Sequence, residues 1–271
     1  MIDPQAIQSF KHFIWQFYIL HQRSFAWRHV DDPYKVLVSE VMLQQTQTYR
    51  VETKYEEFIT TFPDFESLAS AQLRDVLAVW QGLGYNRRGK FLHSLAQQVV
   101  QNYHGKLPDK PEELVKLPGI GKATAASICA FAFNKPTVFI ETNIRAVYIH
   151  SFFKDKQEVH DNELFPLVQA TVDQNNPREW YYALMDYGVY LKKLYPNPSR
   201  RSAHHTTQSR FEGSDRQIRG FVLKLLTQHS YLTLHEIVNS TKKESARVEK
   251  IVNQLCAEGF IIQLDGSYKI V

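Results

Sequence analysis

Apolar side chains recur at helical spacing along most of the chain. Residues three and four apart carry them in Ile7–Leu20, Tyr34–Gln44, Val51–Phe62, Leu73–Trp80, Phe91–Tyr103, Ala123–Phe133, Ile144–Phe153 and Trp180–Leu191, which predicts a helix over each. Turn and cap chemistries separate them at Asp32-Pro33, Phe62-Pro63, Gly82-Leu83-Gly84, Gly105, Pro118-Gly119 and Asn176-Pro177. The expectation is an all-α assembly of many short helices.

The pattern fails between Lys192 and Gly220. This 29-residue stretch carries seven Lys or Arg against Glu212 and Asp215, so it holds more positive charge than the whole chain's net +4. Composition alone leaves two readings open: a solvated linker, or a strap whose arginines, with Tyr195 and Phe211, track a polyanion. Helical periodicity then returns in Gln217–Leu226, Leu234–Val238 and Glu244–Ala257, with Gly259 as a helix stop. Two short β-type runs around Asp265-Gly266 follow and read as a hairpin. Three helices and a hairpin predict a small winged-helix-like module at 214–271. It has 8 basic and 6 acidic residues and no distinct basic stripe, so a packing or dimerisation lobe stays open beside a DNA-binding one.

Composition is globular: 271 residues, 44% hydrophobic and 22% charged, with 11 Gly and 11 Pro, which excludes disordered, collagen-like and disulfide-scaffold classes. The length suits more than one core. Cys129 and Cys256 lie far apart in apolar helical patterns and read as small core residues of a reducing compartment. No apolar run reaches the roughly 18 residues that span a bilayer, and the N-terminus lacks a signal-peptide layout. A soluble intracellular protein is expected.

Three segments could carry chemistry. In VLVSEVMLQQTQT a helix would place Val36, Leu37 and Leu43 beside Glu40, and partial burial raises a carboxyl pKa toward the range of a general acid at neutrality. A Glu bonded to a nearby helix end is the alternative. The polar groups of Gln44, Gln45 and Thr46 follow in a row, costly in a core and useful against base edges. In KPEELVKLPGIGKATAASICAFAF a tight turn opens a helix whose free N–H groups, with Lys122, suit a phosphate. The spacing is too short for a Walker-type loop. In KPTVFIETNIRAVYIH an extended run delivers Glu141 to a helix start, with Thr142 as the expected N-cap and Asn143 and Arg145 in the first turn. Glu141 as a simple complement to the helix dipole stays open.

Taken together, Trp27-Arg28, Asp32-Pro33-Tyr34, SEVMLQQTQT, GLGYNRR, LPGIGKATA and IETNIRAV stand in the order and approximate spacing of the helix-hairpin-helix DNA glycosylase superfamily. Within it the chain resembles the MutY-type adenine glycosylases, over about residues 5–191. The resemblance implies a two-lobed helix-hairpin-helix glycosylase core at 1–191 with its hairpin at about 111–133. A basic strap at 192–213 would replace the iron–sulfur loop, and the winged-helix-like module would complete the chain at 214–271. By the same resemblance Glu40 protonates the departing purine, Glu141 faces the cationic sugar, and Asn143 orients water. Leu43 and Gln45 form the wedge that enters the duplex, and Tyr85 inserts beside the opposite base. DNA contacts are implied for Trp27, Arg28, Gln44, Thr46, Thr48, Arg87 and Arg88, and for Pro118, Gly119, Ile120, Gly121, Lys122 and Thr124 of the hairpin. An alkali cation would sit at carbonyls near Leu117 and Ile120. The strap would add Arg200, Arg201, His204, His205 and Arg210.

Lyase-active relatives carry a lysine nucleophile where this chain has Ala123, and Lys122 lies one residue earlier, about 100° around the helix. A monofunctional enzyme with little or no lyase activity is therefore expected. Three departures separate the chain from the resemblance. Glu141 replaces an aspartate. The cluster cysteines are absent, with Lys192 at about the first ligand's place, so no cofactor and no iron–sulfur cluster are expected. The 58 residues from 214 are too few for the family's NUDIX-like sensor of 8-oxoguanine. Adjacent His204 and His205 point to opposite sides of an extended chain and do not read as a metal site.

The resulting expectation is removal of a purine, adenine opposite 8-oxoguanine or guanine, from double-stranded DNA. It comes with a monomeric state, a cytoplasmic or nucleoid location and no membrane partner. A glycosylase for another damaged or deaminated base, and a non-catalytic binder of damaged DNA, are the rivals.

Overall fold

The computed structural model describes residues 3–271. Its helices follow the periodic segments: α1 (Pro4–His21), α2 (Pro33–Leu43), α3 (Thr48–Thr61), α4 (Phe65–Ser70), α5 (Leu73–Val79), α6 (Arg87–Tyr103), α7 (Pro111–Leu114), α8 (Lys122–Phe133), α9 (Thr142–Phe152), α10 (Asp161–Thr171) and α11 (Pro177–Leu194). A 3-10 turn follows at Pro198–Arg201, and then α12 (Asp215–Gln228), β1 (Leu232–Thr233), α13 (Leu234–Thr241), α14 (Ser245–Ala257), β2 (Ile261–Leu264) and β3 (Ser267–Ile270). The described residues are thus mainly helical, as the spacing predicts.

Local chemistry sets the ends. Asp3 caps α1 through the Gln5 amide, with Pro4 at the position where a missing N–H costs nothing. Asp64 with Ser67, and Thr233 with Glu236, close reciprocal capping boxes on α4 and α13. His104 and Asn134 end α6 and α8 in the left-handed conformation. The periodic reading does not extend to α10, where Pro166 interrupts the helix interior although Leu164, Leu167 and Val168 are buried. It also stops short of Lys192 and Lys193, which continue α11 rather than opening a linker.

The chain divides into two compact units, each assembled from separate stretches of sequence. One holds the chain through Glu40, Pro108–Lys116 and Ile120–Thr207; the other holds Val41–Leu107, Leu117–Gly119 and Gln208–Val271. In the first, α1, α8 and α9 pack on α11. Phe10 lies 5.2 Å from Tyr148 and 6.1 Å from Trp180, and Phe131 stacks on Tyr182 at 4.8 Å. Large aromatic area drives this core.

In the second unit α6 rests on Trp80 through Gly89, where a Cβ would lie 2.9 Å from the indole. The three-helix and three-strand module has sheet order β1-β3-β2, all antiparallel. Asp265 and Gly266 turn the hairpin with φ of 48° and 78°, the left-handed pair a two-residue turn requires. Its apolar core, built from Ile218, Val222, Val252, Leu255 and Phe260, also takes in Leu73 and Leu77 of α5. The spatial division therefore differs from the sequence boundaries at 191 and 213, because residues 214–271 share one core with a helix from the middle of the chain.

Candidate active site and nucleic-acid interface

Glu40 lies near the end of α2, and its Oε2 accepts a hydrogen bond from Ser127 Oγ at 2.6 Å. Ser127, buried on α8, also has its Oγ 3.0 Å from the Thr124 carbonyl. A hydroxyl has one proton and two lone pairs. With Glu40 protonated, the carboxyl donates to Ser127 and Ser127 donates to Thr124; with Glu40 ionised, the serine turns its proton to the carboxylate. Burial pushes the Glu40 carboxyl up to about 7; Glu141 pushes the same way and the Ser127 bond opposes both.

Glu141 is itself the N-cap of α9, a correction to the expected Thr142, which is the first helical residue. Its longer side chain folds back so that Oε1 accepts from the amides of Asn143 at 2.7 Å and Ile144 at 3.0 Å. Oε2 lies 3.4 Å from Asn143 Nδ2. Burial raises the Glu141 carboxyl; the two amides, Lys192 and Arg145 oppose that rise. Lys192 donates to Asn143 Oδ1 at 2.7 Å, and burial holds its ammonium below the usual lysine range. Gly188, one turn earlier on α11, makes this approach possible: a Cβ there would lie 2.7 Å from the Asn143 Cβ and carbonyl oxygen. Glu40, Glu141, Asn143, Ser127 and Lys192 all belong to the first unit.

A second buried group in that unit corrects one expected contact. Arg28, expected on DNA, is 5% exposed and donates to both Asp186 oxygens at 2.8 and 2.7 Å. Asp186 also accepts from the Arg23 backbone and side chain at 2.9 and 2.6 Å, and the Arg28 guanidinium lies 4.5 Å from the Tyr182 ring centre. A guanidinium so paired and desolvated is not a surface phosphate contact. Trp27, likewise buried, stacks on Phe25 at 4.9 Å. Arg201, expected in the strap, instead donates to the carbonyls of Ile149, Phe153, Lys154 and Lys156 and finishes the end of α9. Arg200, His204 and His205 are exposed, with His204 edge-on to His160 at 5.9 Å.

In the second unit a buried arginine ties two loops together. Arg88, also expected on DNA, donates Nη1 to the carbonyls of Val41 and Met42, both at 2.8 Å, and of Gln44 at 2.5 Å. Nη2 reaches Thr46 Oγ1 at 2.8 Å and the carbonyls of Leu83 and Gly84. Burial lowers the guanidinium to about 10, so it stays charged at neutrality while facing carbonyl oxygens. Thr46 is spent inside this network, donating to Leu83 O at 3.2 Å. The side chains the loops leave outside are Gln45 and Tyr85, both in the left-handed region with φ of 54° and 47°. Leu43 and Gln44 are half-buried, and Thr48 opens α3. Arg87 pairs with Glu258 at 2.6 Å, which occupies it within the protein. Arg210 is exposed.

At the hairpin Gly119 has a φ of 79°, and a Cβ there would meet Phe91 Cβ at 2.9 Å, so a side chain is excluded twice over. Leu117 and Ile120 bury their side chains and Pro118 is half-buried. Gly121 caps α8 with no side-chain hydrogen bond, so the first turn of the helix, opening at Lys122, is capped by backbone alone.

Sequence reasoning did not single out Ser127, Asp186, Gln208 or Arg216, and saw Lys192 only by position. Ser127 and Asp186 carried a faint signal as lone polar groups in otherwise apolar helix faces. Iron–sulfur clusters are held by cysteine thiolates. Cys129 is buried in α8, Cys256 lies in α14, and Lys192 is bonded to Asn143. Among the described residues no helix is long and apolar enough to cross a membrane.

Residues 38–165 of the chain match the model described as HhH-GPD superfamily base excision DNA repair protein. Its relatives include the adenine DNA glycosylase of Buchnera aphidicola subsp. Baizongia pistaciae, 32% identical over 174 residues, covering 63% of this chain and 49% of that one. The chain thus matches about half the length of that relative. The adenine DNA glycosylase of Mycobacterium tuberculosis is 27% identical over 295 residues, covering 98% of this chain and 94% of its own. Among solved structures, a thermostable thymine-DNA glycosylase superposes with a TM-score of 0.63 at 26% identity, covering 68% of this chain and 86% of that one.

Proposed function

We propose that the chain is a monofunctional base-excision DNA glycosylase that extrudes a purine, adenine opposite 8-oxoguanine or guanine, and hydrolyses its N-glycosidic bond. The observation that carries the proposal is Glu40, a buried carboxyl bonded to Ser127 and pushed by burial up to about 7, where it can both give and take a proton near neutral pH. The names of the relatives support the target base. A base within the stack is out of reach of such an acid, so extrusion is required.

In the proposed reaction Glu40 donates its proton to the departing base. The bond between the sugar carbon and the base nitrogen breaks, and its electron pair leaves with the base. Glu141 faces the resulting sugar cation with the oxygen not fully engaged at the α9 amides, and Asn143 orients a water. The water oxygen bonds to the sugar carbon and its proton returns to Glu40. The hairpin amides would hold a phosphate, with an alkali cation at carbonyls near Leu117 and Ile120. The exposed Arg200, His204, His205 and Arg210 would follow the DNA backbone. No iron–sulfur cluster and no lyase step are part of the proposal, since Ala123 stands at the nucleophile's place.

Glu141 favours one second reading, the same chemistry on another damaged or deaminated base. Its carboxylate carries one methylene more than aspartate, and a displacement of about 1 Å costs roughly 100-fold in rate. A panel of duplexes with different lesions and opposite bases, assayed for alkali-labile sites, tests both. Adenine release from mispairs supports the first reading, and release of another base alone supports the second. Release of none overturns both. Efficient borohydride trapping of a lysine–DNA adduct would overturn the monofunctional part.

A further inference from the structure

Gln45 and Tyr85 do not stand alone in the second unit. Gln208 donates through Nε2 to Gln45 Oε1 at 3.1 Å and to the Tyr85 hydroxyl. Arg216, in the first turn of α12, donates through Nη1 to the Tyr85 hydroxyl at 3.3 Å. Its Nη2 is anchored on the carbonyl of Ser209 at 2.7 Å. The four side chains therefore form one polar cluster over the two loops that Arg88 holds together.

We propose that Gln208 and Arg216, beside Gln45 and Tyr85, are specificity-determining residues that read the base left in the duplex opposite the extruded one. The inference rests on the glycosylase reading above and deepens it.

Three observations carry it. Left-handed backbone at two non-glycine positions, one on each of the two loops, is strained, and such strain persists where surrounding structure enforces it, as Arg88 does here by holding the neighbouring carbonyls of Gln44 and Gly84. Tyr85 offers a ring on which a base stacks, and Gln45 an amide beside it. The remaining chemistry is donor-rich. A guanidinium presents only donors in a planar fork, and guanine is the base whose edge presents two adjacent acceptors, O6 and N7. Cytosine presents a donor there and thymine a single acceptor. The Gln208 amide adds one donor pair and one acceptor; 8-oxoguanine carries N7–H in place of the N7 acceptor, so on that base the guanidinium keeps O6 and the Gln208 carbonyl accepts from N7–H. In the free protein these donors are spent on Tyr85, Gln45 and Ser209; on DNA they exchange to the base.

Binding to duplexes with a tetrahydrofuran abasic analogue opposite guanine, 8-oxoguanine, cytosine or thymine tests the inference without any base release. The full chain is expected to prefer the two guanine-type duplexes by about tenfold, the discrimination of one good bidentate contact. The Gln208→Ala/Arg216→Ala double variant is expected to bind all four within twofold, at the unmodified chain's affinity for cytosine. Arg216→Lys, which keeps the charge and loses the fork, is expected to lose most of the preference as well. An equal loss of affinity on all four duplexes, or an unchanged preference in the double variant, would overturn the inference. Failure of the unmodified chain to release any base, with the binding preference intact, would strike the glycosylase reading instead.

Discussion

Around Glu40 and Glu141 carboxyl groups are withdrawn from water and left close together, so burial itself tunes their chemistry. Around Gln45 and Tyr85 the buried charge is Arg88, which faces carbonyl oxygens and serves as scaffold, while the side chains that would meet a ligand stay outside. One cluster therefore holds costly groups because their protonation matters. The other hides its charge so that two loops keep a strained shape. Substitutions in the two regions should fail differently.

The largest effect is expected from Glu40→Gln. General acid catalysis contributes about 100- to 10,000-fold, so single-turnover base release should fall by that factor. Duplex affinity and urea stability should hold, because the amide keeps the shape and relieves a buried acid. Arg88→Met should show the reverse pattern. It leaves buried carbonyls without donors, and each such group costs about 1–3 kcal/mol, so a loss of at least about 2 kcal/mol in urea unfolding is expected, together with weaker duplex binding. If Arg88→Met left stability and affinity unchanged, the contrast between the two regions would collapse.

Ser127→Ala should act between these extremes. The serine favours the ionised carboxylate, so its loss raises the Glu40 pKa further and keeps the acid form to higher pH. A hydrogen bond to a charged group is worth about 1.5–3 kcal/mol, or about one pH unit or more at 1.36 kcal/mol per unit. The alkaline limb of the rate profile should move up by about that much, with the acid plateau little changed. The smallest effect is expected from Arg200→Glu with Arg210→Glu. These exposed positions should lower the salt-dependence slope of duplex binding by about one per lost phosphate contact and leave base release at saturation unchanged.

The helical periods made most of the fold legible, because helix after helix buries one apolar face. Pro166 hid α10, and the shared core of Leu73 and Leu77 with Ile218 and Val222 was invisible because it joins residues far apart in sequence. At the site, Glu40 showed itself as a carboxylate among Val36, Leu37 and Leu43. Glu141 was visible as a group at a helix start, though its role as the cap itself was not. Arg28, Arg88 and Arg201 read as DNA contacts because a sequence does not show which way an arginine faces; all three turn inward to carboxylate or carbonyl partners. Ser127 lies 87 positions from Glu40 and Gln208 lies 163 from Gln45, and no local pattern joins such pairs.

The proton on Glu40 is the centre of the proposed chemistry, and the pH dependence of single-turnover base release reads it directly. The rate should be level on the acid side and fall about tenfold per unit above an inflection at about 7, where the buried carboxyl ionises. A rate that stays level from pH 5 to 9, or an inflection near the ordinary glutamate value of about 4.3, would contradict Glu40 as the proton donor.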